Sequence, residues 1–440
     1  MSFDTVIWTR LTPAERKRLL QRPTRGSDAS VRKRVEKIIN RVRDSGDAAL
    51  KDFTRQLDGV EMDRFRISDD EFDHAERELS SASIEAIEIA IGNVTRFHEK
   101  QVPEHIDMQP MPGIRCERVN RPIDCVGLYV PAGSAPLPSA AIMLAVPASI
   151  AACPQRVMCT PPRSDGLADP AVLVAARRCG VHTIFKIGGA QAIAAMAYGT
   201  VSVPKVDKIF GPGNAWVTTA KSLVSADPLG AAIDMQAGPT EVLIIADGSA
   251  NAEYVAADLL AQAEHGEDSQ VILFTTSAEL AKDVSRQVAE QLPGLGRREI
   301  AGKALSNARS IVVADLETAL DASNSYAPEH LIIQTEDPRA LLPAVRNAGS
   351  VFLGAWSPES AGDYCSGTNH VLPTNGYARS YSGLGVDQYM RKMTVQELSQ
   401  QGLQSIATAI TELAGLEGLD AHAESVRRRL NAGTKTESAA

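Results

Sequence analysis

Aromatic residues make up only 5% of the 440-residue chain, and no apolar run is long enough to cross a bilayer. The most apolar stretch, SAAIMLAVPASIAAC, is short and contains Pro147, so no membrane segment is expected. Positive charge is also scarce. The net charge of -9 excludes the concentrated positive field that nucleic acid or anionic lipid requires. Arg32-Lys33-Arg34 and Arg427-Arg428-Arg429 are short clusters and read as solvated helix faces. The six cysteines (Cys116, Cys125, Cys153, Cys159, Cys179 and Cys365) form no C-x-x-C pair. The start, MSFDTVIWTRL, lacks a basic stretch followed by an apolar core, so free thiols and a cytoplasmic protein are expected. No G-x-G-x-x-G follows a predicted strand, which removes the conventional Rossmann dinucleotide turn.

With 44% hydrophobic residues and so few aromatics, the interior must be mostly Ala, Val, Leu and Ile, as in helices packed on parallel strands. The length exceeds what one core supports, so two or more packed units are expected. Residues 28–101 carry apolar residues at three-four spacing and read as helices. From Asp124, short β-rich runs such as VGLYVP, RVMCTPP and TIFKIGG alternate with Ala-rich helices. After AIDMQAGPT the alternation restarts with EVLIIAD, QVILFTT, SIVVAD and HLIIQT. Such alternation predicts an α/β fold with two Rossmann-like βαβ blocks on parallel sheets. Residues 381–430 read as helical again, and the last ten, NAGTKTESAA, have too few large apolar groups to order themselves.

Several polar residues stand out against this background. In LLAQAEHG, Gln262 and His265 are three apart and share a helix face, with Gly266 placed to end the helix. They could border a cleft, or His265 could simply relieve the free carbonyls of a helix end. In NSYAPEHLIIQ, Pro328 stops a helix, and Glu329 and His330 open a strand, as an acid–base pair or as a loop ion pair. The stretch GAWSPESAGDYCSGTNHVLPTNGYARSYSG shows neither helical nor strand period, yet holds Asp363, Cys365 and His370, which suggests a site loop. Two imidazoles, a carboxylate and an amide oxygen would suit Zn²⁺ or a similar divalent ion, although the spacings match no standard zinc signature. GPGNAW and PAGSAPLPS are Gly-rich turns at strand-to-helix junctions, where backbone amides can hold a phosphate.

Taken together, FGPGN, DMQAGPTEV, LLAQAEHG, YAPEHL, GDYCSGTNHVLPT, MTVQEL and EGLDAHAESVRRRL resemble the histidinol dehydrogenase family, in order and nearly end to end. The resemblance implies an intertwined homodimer that binds one Zn²⁺ per subunit and uses NAD twice to take L-histidinol through L-histidinal to L-histidine. It implies an N-terminal arm over 1–22, a zinc and substrate domain of 23–128 with 241–380, and an NAD-binding domain over 129–240. A helical C-terminal arm, 381–440, would reach the partner's site. Its metal ligands would be Gln262, His265 and Asp363 from one subunit and His422 from the other. Glu329 and His330 would be the acid–base pair. Thr240, Gln262, His265, His330, Asp363, Glu417 and His422 would surround histidinol, and Tyr129, Gln191 and Asn214 would contact NAD.

On this resemblance, zinc orients the substrate, His330 takes the hydroxyl proton and Glu329 activates water for the second oxidation. Two positions depart from the family pattern: Thr240 replaces the common serine, and Ala132 in YVPAG stands where glycine is frequent. The second matters if that turn requires positive φ. Two other readings remain at this point: a zinc dehydrogenase of the same fold acting on another small polyol or amino alcohol, and a zinc hydrolase with Glu329 as base.

Overall fold

The computed structural model describes residues 5–22, 29–132, 135–235 and 238–437, with side chains to residue 431. The chain divides into two compact units, one ending at Gln101 and resuming over Ile123–Tyr389, the other formed by Val102–Pro122 and the chain from Met390. The first begins with β1 (Thr5–Ile7), α1 (Pro13–Leu19), α2 (Ala29–Ser45), α3 (Asp47–Phe53), α4 (Asp69–Glu78) and α5 (Ser81–His98). β2 (Ile106–Met111) and β3 (Ile114–Pro122) belong to the second unit.

Back in the first unit, strands and helices alternate: β4 (Cys125–Tyr129), α6 (Pro138–Ile150), β5 (Gln155–Thr160), α7 (Pro170–Arg178), β6 (Thr183–Lys186), α8 (Gly189–Tyr198), β7 (Lys208–Phe210), α9 (Ala215–Ala226) and β8 (Ala232–Ile233). The second block runs β9 (Glu241–Ala246), α10 (Ala252–Ala263), β10 (Gln270–Thr275), α11 (Ala278–Gln291), α12 (Arg298–Leu305), β11 (Arg309–Val312), α13 (Leu316–Tyr326), β12 (His330–Gln334), α14 (Pro338–Leu341), β13 (Ser350–Leu353) and α15 (Glu359–Tyr364).

These strands build two parallel sheets, as the alternation predicts: β6-β5-β4-β7-β8 and β1-β11-β10-β9-β12-β13. Every residue of β4, β9, β10 and β12 is buried, because helices cover both faces of a parallel sheet. The connecting helices start where side chains accept the first free N–H groups: Asp169 for α7, Asn214 for α9, Asn251 for α10 and Asp315 for α13. α2 and α3 bury Val35, Ile39, Val42, Leu50 and Phe53 in the core of the five-stranded sheet. Among the described residues no helix is long and apolar enough to cross a membrane.

The second unit holds an antiparallel sheet, β14-β3-β2, with β14 (Met390–Leu398), followed by α16 (Gln400–Leu416) and α17 (Asp420–Glu437). The expectation that 381–430 is helical throughout is therefore corrected, since Met390–Leu398 pairs along the whole of β3. β14 and β2 are largely exposed, so neither carries the apolar alternation that marks a half-buried strand. α17 continues to Glu437, into the tail expected to fray, and the last three residues lie outside the described ones. Gly133 and Ser134 of the PAGSAPLPS turn also lie outside them.

Candidate active site

A cavity of about 160 Å³ in the first unit is lined from both parallel sheets. Ser139, Gly211 and Asp234, which follow the carboxyl ends of β4, β7 and β8, form one side. Thr240, Glu329 and His330, at the amino ends of β9 and β12, form the other. Ligands of open α/β sheets bind outside the carboxyl ends of the strands. The five-stranded sheet thus offers its usual ligand edge, and the six-stranded sheet meets it with the opposite edge. His265, Asp363 and His370 also line the cavity.

Glu329 and His330 are held by the backbone of Glu241. The Glu329 carboxylate accepts from the Thr240 hydroxyl at 2.7 Å and from the Glu241 N–H at 2.9 Å. His330 Nδ1 lies 3.0 Å from the Glu241 carbonyl, which can only accept, so Nδ1 carries the proton. In the neutral ring the bare lone pair then sits on Nε2, which has no hydrogen-bond partner among the described residues and lies 3.9 Å from Asp363. Burial lowers the His330 pKa, against the opposing pull of Asp363, and so favours that neutral ring. Burial pushes Glu329 well above the usual carboxylate range, opposed by its two hydrogen bonds. A carboxylate raised toward neutrality is a stronger base than a solvated one.

The end of α10 supplies Gln262, which is fully buried, and His265. The helix ends at Ala263 with Glu264 as its C-cap, before Gly266, so His265 lies just beyond it and not on its face. Even so, the His265 N–H donates to the Gln262 carbonyl at 3.3 Å, which keeps the two together. The Gln262 NH₂ donates to the Glu359 carboxylate at 3.1 Å, and its amide oxygen accepts from the Glu241 N–H at 2.8 Å beside the Thr240 hydroxyl. The opposite orientation would set the amide oxygen against the Glu359 carboxylate and the NH₂ against the Glu241 N–H, leaving both unsatisfied. Ligand atoms of His265, Glu359 and Asp363 also lie within 4.8 Å of one another. Amide and carboxylate oxygens with an imidazole suit zinc or a similar divalent ion.

Glu359 was not singled out in the sequence. It lies four residues before Asp363, so the two share a face of α15. The sequence of this segment shows no helical period, which hides that spacing, whereas Glu359–Tyr364 is helical. Burial, reinforced by Asp363 and Glu329, pushes the Glu359 carboxyl well above the usual range.

At the edge of the five-stranded sheet, the Tyr129 hydroxyl accepts from the Gly189 N–H at 3.0 Å where α8 begins. Gln191, two residues further, is buried, and its Oε1 has no partner among the described residues. Asn214 is exposed and caps α9, accepting from Trp216 and Val217 at 3.0 and 3.2 Å. Gly211 has φ of +125°, and a Cβ there would collide with the Tyr129 carbonyl. A buried pair, Lys221 with Asp234, grips both the Gly211 carbonyl and its N–H. Ala132 has no positive φ, so its turn does not require glycine at that position.

The histidinol dehydrogenase family profile matches residues 20–430. Histidinol dehydrogenase from Vibrio parahaemolyticus is 51% identical over 97% of this chain and 98% of its own length. The Escherichia coli K12 enzyme is 50% identical, over 98% and 99%. The crystal structure of histidinol dehydrogenase from Elizabethkingia anophelis matches with a TM-score of 0.94 at 44% identity, covering 98% of each chain. The chain belongs to the histidinol dehydrogenase family.

As a histidinol dehydrogenase family member it is an oxidoreductase of histidine biosynthesis, and the hydrolase alternative falls. The geometry gathers Thr240, Gln262, His265, Glu329, His330 and Asp363 in the first unit. Glu417, which caps α16, and His422, in the first turn of α17, are exposed on the second unit.

Proposed function

We propose that the chain carries out the four-electron oxidation of L-histidinol to L-histidine in two steps at the cavity described above. The first removes a hydride from the carbinol carbon and a proton from its hydroxyl to give L-histidinal. The second adds water to the aldehyde and removes a hydride and a proton from the hydrate to give the acid. When bound, zinc supplies an electrostatic anchor for the substrate's imidazole and amine, and NAD supplies the acceptor for each hydride. Gln262, His265 and Asp363 hold the metal, with His422 from a second copy of the chain.

The observation that carries this reading is the pairing of a bare His330 Nε2 with Glu329 on one backbone residue, Glu241. His330 Nε2 takes the hydroxyl proton in the first step. Glu329, in its ionised form, removes a proton from water as the water oxygen adds to the aldehyde carbon. Thr240 and Asp363 position the substrate, with Glu417 and His422 from the second copy, and Tyr129, Gln191 and Asn214 contact NAD.

The second copy is supported by Leu413, Leu416 and Leu419, which are exposed around Glu417 and form an apolar surface suited to cover by protein. The test is NAD reduction with L-histidinol before and after chelation, together with Glu329→Gln. Chelation should abolish turnover and added zinc restore it. Glu329→Gln should still oxidise the alcohol but stop at the aldehyde, releasing one NADH per histidinol. Two NADH per histidinol from Glu329→Gln would remove Glu329 from the water step.

A further inference from the structure

We propose that Arg22 is a positioning residue for the acid–base pair: its guanidinium ties the Glu241 carboxylate to the carbonyls of Tyr326 and Ala327. It thereby fixes from both sides the backbone that carries Glu329 and His330. The inference rests on the reading of those two residues as acid and base.

Glu241 is used three times. Its N–H holds Glu329, its carbonyl holds His330, and its buried carboxylate accepts from Arg22 and from the Asn375 N–H at 2.9 Å. Arg22 meets both carboxylate oxygens, with Nη2 to Oε2 at 2.7 Å, and the same Nη2 reaches the Tyr326 and Ala327 carbonyls at 3.0 and 3.2 Å. The guanidinium lies 3.9 Å over the Tyr326 ring. Only a planar fork can face a carboxylate, a helix end and an aromatic ring at once.

The two carbonyls are at the end of α13, where helical acceptors go unpaired and a positive charge is favoured. Ala327 takes a left-handed conformation, φ +55°, that a residue with a Cβ rarely adopts, and the chain reaches His330 three residues later. Strain of this kind persists where the surroundings over-determine it. Arg379 also contacts the Ser325 and Tyr326 carbonyls. Arg22 joins that turn to Glu241 and so to the start of β9. It does not line the cavity and touches no reacting atom. With its side chain 18% exposed and that of Glu241 3% exposed, the pair is shielded from the screening that makes surface ion pairs weak.

The test uses the full-length, zinc-loaded enzyme and compares Arg22→Ala, Arg22→Lys and His330→Ala. In Arg22→Ala, kcat for histidinol should fall about 10²-fold through misplacement of the pair, while KM for histidinol and for NAD stays within about threefold. Millimolar guanidinium should restore part of kcat, and ammonium should not. Arg22→Lys should fold and fall between wild type and Arg22→Ala. A wild-type kcat in Arg22→Ala, or a loss that guanidinium leaves untouched, overturns the proposal. If Arg22→Ala does not fold, Arg22→Lys decides: reduced kcat at unchanged KM supports the proposal, and wild-type kcat overturns it. Full activity in His330→Ala would instead remove the acid–base reading itself, whereas an inactive His330→Ala beside a fully active Arg22→Ala removes only the role of Arg22.

Discussion

Glu359 accepts from the Gln262 amide NH₂ and lies 3.7 Å from His330 Nδ1, with 1% of its surface exposed. Removing its charge has opposite consequences in the two states of the site. In Glu359→Gln the side-chain oxygen can still accept from the Gln262 NH₂ while the buried charge beside Asp363 and Glu329 is gone, so the metal-free protein should melt higher than metal-free wild type. Metal affinity should fall about 10- to 100-fold, measured by zinc competition against a chelator. A metal-free melting temperature below wild type would show that Glu359 is satisfied without a cation. Individual residues were readable to different degrees. Glu329 and His330 stood out because a proline-broken helix handed them directly to a strand. The role of Glu241 was hidden, because it acts mainly through its backbone, which no side-chain pattern reports.

α10 and β12 meet through a buried polar contact in which the Gln334 amide donates to Asp258 at 2.9 Å. Burial pushes Asp258 up to about 7 from its ordinary value of 3.8. A carboxyl whose folded pKa is raised favours the fold fully below pH 3.8. It loses that contribution as pH rises toward 7, at a cost of order a few kcal/mol. Asp258→Asn should therefore raise the melting temperature of the metal-free protein at pH 8 and leave it nearly unchanged at pH 4, by calorimetry. A gain equal at both pH values would mean that Asp258 does not carry the dependence. The parallel strands were legible because burial on both faces makes them continuously apolar, as in EVLIIA and QVILFT. β2, β3 and β14 were not, because exposed faces leave no alternation to read. The stripe on α2 showed that one face is buried, but a stripe does not say which sheet covers it.

For the molecule as a whole, the reading assigns Gln262 and His422 to one site but to different copies of the chain. Gln262→Ala and His422→Ala should each be inactive alone. In a mixed dimer one site collects both defects and the other neither. Random mixing should then restore about a quarter of wild-type activity if the assembly is a symmetric dimer. Dimers that mix and stay inactive would place both residues in the same chain's site. Copy number was not written in the periodicity of the sequence, since exposed leucines such as Leu416 read the same on a solvated helix as on one awaiting a partner.

The cavity draws one rim from strand endings and the other from strand beginnings. Hydride acceptor and alcohol would then be served by separate stretches of chain, before and after residue 240, with few residues obliged to satisfy both. Drift in one stretch need not be answered in the other, so a change of cofactor preference and a change of alcohol could be acquired as independent events.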